Sequence, residues 1–149
     1  MKPILLALST FRQSDKAEAI AIEKARQDSR RLVVAQIVDV NLARYLIGTD
    51  LGLFSQLTDK CEREILEQHE EKAKEKVGSI AARAEQQGVA VNTYVGTGRF
   101  ALQCLAIIRK EKPELVVTTR SQRPQWVKKL FGSPVDYLME RANCPVVEA

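Results

Sequence analysis

Short apolar runs alternate with longer amphipathic stretches along the whole chain. PILLALS (residues 3–9) and LVVAQIV (residues 32–38) are continuous apolar runs, the second rich in β-branched residues. Their length and composition predict strands buried on both faces. VAVNTYV (residues 89–95) alternates as a third strand, Glu114 to Thr118 forms a fourth, and Val146-Val147 a last short one. Between them lie helical periodicities. Ser14 caps the first helix, with Asp15 and Glu18 in its opening turn and Ala17, Ile20, Ala21 and Ala25 as its apolar stripe. Thr58 caps a long helix that Gly88 ends, its stripe passing through Cys61, Ile65, His69, Ala73, Val77, Ile80 and Ala84. A third runs from Phe100 to Lys110 and stops before Pro113. Ser133, Pro134 and Asp136 announce a fourth, whose inner stripe is Val135, Leu138, Met139 and Ala142.

This order predicts right-handed crossovers and a five-stranded parallel sheet with helices on both faces, in one α/β domain over residues 1–149. In such sheets ligands sit outside the carboxyl ends of the strands. Those ends are Ser9-Thr10, Ile37 to Asp39, Gly96 to Arg99, and the polar, basic loop that runs from Thr118 to Ser133. Turn chemistry accounts for the GTG at residues 96–98, with anion binding at the following helix as its functional alternative. Residues 39–57 carry Leu46, Ile47, Leu51, Leu53, Phe54 and Leu57 between glycines, and read either as a partner-contacting flap or as a broken helix on the sheet.

Composition narrows the function classes. The net charge is +4, but the basic residues are mostly interleaved with acidic ones, and only 5% of the chain is aromatic. Both facts argue against a nucleic-acid partner. Three cysteines, Cys61, Cys104 and Cys144, make neither zinc spacing nor a disulfide framework and read as small buried hydrophobes in a reducing, cytoplasmic setting. One histidine, His69, supplies neither a metal cluster nor a catalytic triad. No leader peptide and no membrane insertion are expected.

Three stretches carry a likeness to a known family: ILLALS at the start, GRFALQCLAIIRKEKPELVV, and VKKLFGSPVDYLMERANCPVV at the end. Through them the chain resembles the universal stress proteins over essentially its full length. That resemblance implies a three-layer α/β/α sandwich of the adenine nucleotide alpha hydrolase-like kind, and often a homodimer. ATP-binding members place a glycine, two residues, a second glycine, nine residues and Gly-Ser or Gly-Thr at the phosphates. Here the spacing is kept, but Thr119 and Gln122 stand at the first two glycine positions, and only Gly132-Ser133 remains. Ser9 stands where those members have an aspartate. A β-branched threonine is poorly suited to the positive φ that glycine allows, so tight ATP binding is expected to be lost.

The expected function is therefore a non-enzymatic universal stress protein of the non-ATP-binding kind, acting in stress response as a homodimer with no cofactor. The candidate dimer edge is Pro145, Val146, Val147 and Glu148. The weaker alternative is an ATP/AMP switch with magnesium and slow hydrolysis. Its degenerate nucleotide- or anion-binding set is Ser9, Ile37, Thr118, Thr119, Gln122, Arg123, Gly132 and Ser133. A third reading is an adaptor that binds a protein partner, such as a transporter, through residues 46–57.

Overall fold

A computed structural model describes residues 2–10, 14–39, 55–119 and 134–149, with side chains outside the description at 55–62, 65 and 134–136. The chain runs β1 (Ile4–Ser9), α1 (Asp15–Gln27), β2 (Leu32–Asp39), α2 (Ser55–Gln86), β3 (Val91–Gly98), α3 (Phe100–Glu111), β4 (Leu115–Thr118), α4 (Pro134–Arg141) and β5 (Val146–Glu148). The strands form one sheet in the order β3-β2-β1-β4-β5, with every pair parallel. The predicted five-stranded parallel sheet is therefore present.

Burial explains the continuous apolar runs. Every residue of β1 and β2 is buried, because helices cover both faces. Alternate residues feed two cores. Ile4, Leu6, Leu8, Leu32, Val34 and Val117 face α1 and α2, where they meet Ala17, Ala21, Val77 and Ile80. Leu5, Ala7, Val33, Ala35, Ile37 and Val116 face the opposite side and meet Phe100, Cys104, Leu105 and Leu138.

Several local expectations change. Ser14 does not cap α1 with its side chain; its hydroxyl donates to the Glu18 carboxylate (2.5 Å), which also pairs with Arg83 of α2. Glu18 is thereby buried, while Ile20, expected on the inner stripe, is 36% exposed. Met139 is likewise exposed, since Leu138 is the residue of α4 that enters the core. α2 begins at Ser55, so Thr58 lies inside it, and β3 reaches Gly98 instead of ending at Val95. Residues 40–54 lie outside the described residues, and so does most of the proposed partner segment 46–57.

At the amino ends of the strands a polar network ties α3 to the sheet. Arg31 donates to Glu111 (2.9 Å), and the Tyr94 hydroxyl donates to the other oxygen of the same carboxylate (2.5 Å). The Tyr94 hydrogen bond first, and then Arg31, hold the Glu111 carboxyl below the usual carboxylate range. A carboxyl whose folded-state pKa is depressed stabilises the fold above its unfolded pKa and loses that contribution as pH falls through the folded value. Glu111→Gln is expected to cost about 1–2 kcal/mol at pH 7. That difference should shrink steadily in denaturant titrations taken below the ordinary carboxylate pKa of about 4.3.

Candidate functional site

The strand order places the chain reversal at β1. From β1 the chain moves outward through β2 to β3, then crosses to the other flank for β4 and β5. The crevice outside the carboxyl ends of β1 and β4 is thus the topological switch point.

Four of the candidate site residues meet there. Ser9 pairs in register with Ile37, and Ala7, two residues earlier, pairs with Thr118. All four are nearly inaccessible: Ser9 2%, Ile37 1%, Thr118 0% and Thr119 2% exposed. Their polar atoms differ in availability. The Thr118 hydroxyl donates to the Ala7 carbonyl (2.8 Å) and the Ser9 hydroxyl to the Thr10 carbonyl (3.1 Å). The Thr119 hydroxyl is buried with no hydrogen-bond partner. Thr119 is also absent from the non-glycine residues with positive φ, which are Ser29 and Lys112. The position of the first loop glycine is therefore filled by a side chain on ordinary backbone. Gln122, Arg123, Gly132 and Ser133 lie outside the described residues.

Three further polar residues gather at the same end and were not singled out from the sequence. Thr10 is held through all its polar groups. Its N–H donates to the Ile37 carbonyl (2.9 Å), its carbonyl accepts from Ser9, and its hydroxyl oxygen accepts from the Gln36 amide (3.2 Å). Gln36 and Asp39 are buried at 2% and 3%. Both are polar interruptions of an apolar strand, and that was the signal available in LVVAQIVD.

The end of β3 shows why glycine recurs in GTG. A Cβ on Gly96 would lie 3.0 Å from the Gln103 side chain, and one on Gly98 2.9 Å from it. Gly98 also has φ +154°. The two glycines admit the first turn of α3 against the strand, which supports the turn-chemistry reading. Gly98→Ala is expected to lower the melting temperature, by about 1–3 kcal/mol of stability, since both the backbone and the Gln103 amide must shift. Gly88→Ala, with φ +81° and open space around it, should cost nearer 1 kcal/mol. Thr97, between the glycines, donates to Glu70 of α2 (2.6 Å). That bond marks where α2 passes the strand ends, so Ser55 to His69 extend beyond the sheet, over about 20 Å at helical rise.

The titratable groups near the crevice are quiet. Burial, and then the charge of Asp39, push the Cys104 thiol far up, and burial raises Cys144 as well, so neither is a thiolate at neutral pH. Burial, with Lys72 second, lowers the pKa of His69 and leaves it neutral. Among the described residues no three His, Cys, Asp or Glu side chains are gathered as metal donors. An open groove between α1 and the end of α2, floored by Ile20 and Ile22 and rimmed by Glu23, Lys24 and Arg83, is remote from the strand ends.

The model of the universal stress protein family matches residues 1–147. The chain belongs to the universal stress protein family. Solved structures agree in fold. Universal stress protein UspA from Lactobacillus plantarum superposes with a TM-score of 0.72 at 15% identity, covering 99% of this chain and 97% of its own. A universal stress protein solved in complex with cAMP gives 0.62 at 13% identity, covering 99% and 96%. A universal stress protein from Archaeoglobus fulgidus solved in complex with dAMP gives 0.56 at 17% identity, with the same coverage. No curated protein matches. At these identities the structural likeness carries the fold, and the family places the chain in stress response.

Proposed function

We propose that this universal stress protein acts by binding rather than catalysis, as a homodimer in the cytoplasm, and does not hold ATP in the tight, magnesium-linked manner of the family's glycine-loop members. Thr119 is the observation that carries the reading. It occupies the first glycine position with a buried, β-branched side chain on non-positive φ. A phosphate cradle needs backbone N–H groups to approach the oxygens closely, and glycine is the residue that permits it. Ser9, in place of an aspartate, removes a carboxylate from the same crevice. Calorimetry with ATP and magnesium is the test: no heat at micromolar protein is expected, and a micromolar Kd would overturn the reading.

A smaller nucleotide is the second reading, and a specific observation favours it. The crevice keeps a buried hydroxyl with no partner, and two proteins of like fold were solved with the monophosphates cAMP and dAMP. AMP in the same calorimeter separates the two readings.

Support for the dimer comes from β5. It pairs with β4 alone among the described strands, is three residues long, and leaves Val147 38% exposed. An edge of this kind pairs readily with a second copy across a two-fold axis. Light scattering is expected to give twice the chain mass at micromolar concentration, and Val147→Asp to shift it towards the monomer. A native chain that stays monomeric removes the dimer from the proposal.

A further inference from the structure

The two faces of the crevice differ in a way the glycine-loop comparison does not address. Alternation puts Ser9, Ile37 and Thr118 on the α3/α4 side, and Gln36, Thr10 and Thr119 on the α1/α2 side with Leu8 and Val117. On the second side two buried polar atoms are left over. Gln36 is 2% exposed; its Nε2 donates to Thr10 Oγ1, while its Oε1 has no partner. Thr119, also 2% exposed, has an unpartnered Oγ1. Buried polar atoms are satisfied in the great majority of cases, so two orphans in one row point to a missing occupant. Thr10, between them, is half-buried, so the row opens at the end of β1.

We propose that this row is a subsite for a neutral, hydroxyl-bearing group, of which the sugar hydroxyls of a nucleoside are the fitting class; the proposal rests on the second reading above. The chemistry of the row selects the class. Its groups are one amide and two hydroxyls, none of them charged, so an ion would enter without compensation for lost hydration. The Thr10 hydroxyl can accept from the Gln36 amide nitrogen or donate to its oxygen, so either end of the amide can face the row. A hydroxyl both donates and accepts, and it completes the row in either orientation. Ser9 and Ile37 pin the backbone of Thr10, so the row is held in shape before a ligand arrives.

Calorimetry and melting shifts with adenosine, 2′,3′-dideoxyadenosine and AMP test this on the full chain. Adenosine is expected to bind about tenfold more tightly than the dideoxy compound, the loss of one or two neutral hydrogen bonds. In Gln36→Leu and Thr119→Val that ratio should fall towards one, while Thr119→Ser, which keeps the hydroxyl, retains it. Gln36→Leu removes an orphan at nearly constant shape, so its melting temperature should not fall. Equal binding of both nucleosides to the native chain means that the row holds water only, and overturns the subsite. A ratio that survives in both Gln36→Leu and Thr119→Val overturns it too. AMP binding without sugar discrimination sinks the subsite alone. No binding of adenosine or AMP at millimolar concentration sinks the second reading along with it.

Discussion

Ser9→Asp, Thr119→Gly and Gln122→Gly, introduced together, are expected to raise the affinity for ATP with magnesium by at least about a hundredfold, close to 3 kcal/mol. Each change addresses a different obstacle. Thr119→Gly removes a buried side chain whose hydroxyl is unpartnered and frees φ at the end of β4. Gln122→Gly restores the second flexible position of a loop whose spacing to Gly132-Ser133 is intact. Ser9→Asp returns a carboxylate to the end of β1, at a point only 2% exposed. A buried carboxylate with no cation beside it is destabilising. Ser9→Asp alone should therefore lower the melting temperature, and magnesium with ATP should recover it in the triple variant, because a ligand of the folded state stabilises that state. A triple variant that melts as cooperatively as the native chain yet shows no heat with ATP would mean that the altered loop positions are not what prevents binding.

The sheet and its helices were legible because burial on both faces leaves a simple trace. β1 and β2 read as unbroken apolar runs, and each crossover helix had a stop at Gly88 or Pro113. Errors came where one helical stripe admits two neighbouring positions. Ile20 and Met139 fit the periodicity as well as Ile22 and Leu138, but only the latter pair meets the cores; the local choice is made by which helix lies beside which strand. Ser14 was misread for a related reason: its hydroxyl went to a carboxylate whose own partner, Arg83, is 65 residues away from it along the chain. In the crevice, Ser9 and Thr119 were legible through the resemblance. Gln36 was visible as a polar residue inside a strand, but its bond to Thr10 depends on a strand pairing that no local pattern encodes.

That dependence on long-range packing also decides which core residue matters most. α2 is long, but its charges are spread round much of its surface, and the face it lays on the sheet is narrow. Among its described side chains the buried ones are Ala73, Val77, Ile80 and Ala84. Two of these are alanines, and Ile80, fully buried among the side chains of the α1/α2 core, is the largest. Ile80→Ala is expected to cost about 2–5 kcal/mol, the range for removing a large aliphatic side chain from a core that relaxes only partly. For a chain of this size that is a fall of roughly 5–15 °C in melting temperature. Met139→Ala, on an exposed position of α4, should move it by less than about 2 °C. The consequence extends to the crevice. α2 continues past the strand ends from Thr97 outward, so loosening its one large anchor should speed hydrogen exchange at the Ile37 to Asp39 amides before the amino ends of the same strands respond. Uniform loss of protection along β2 would instead show that α2 and the sheet unfold as one unit, and that no separate path links Ile80 to the site.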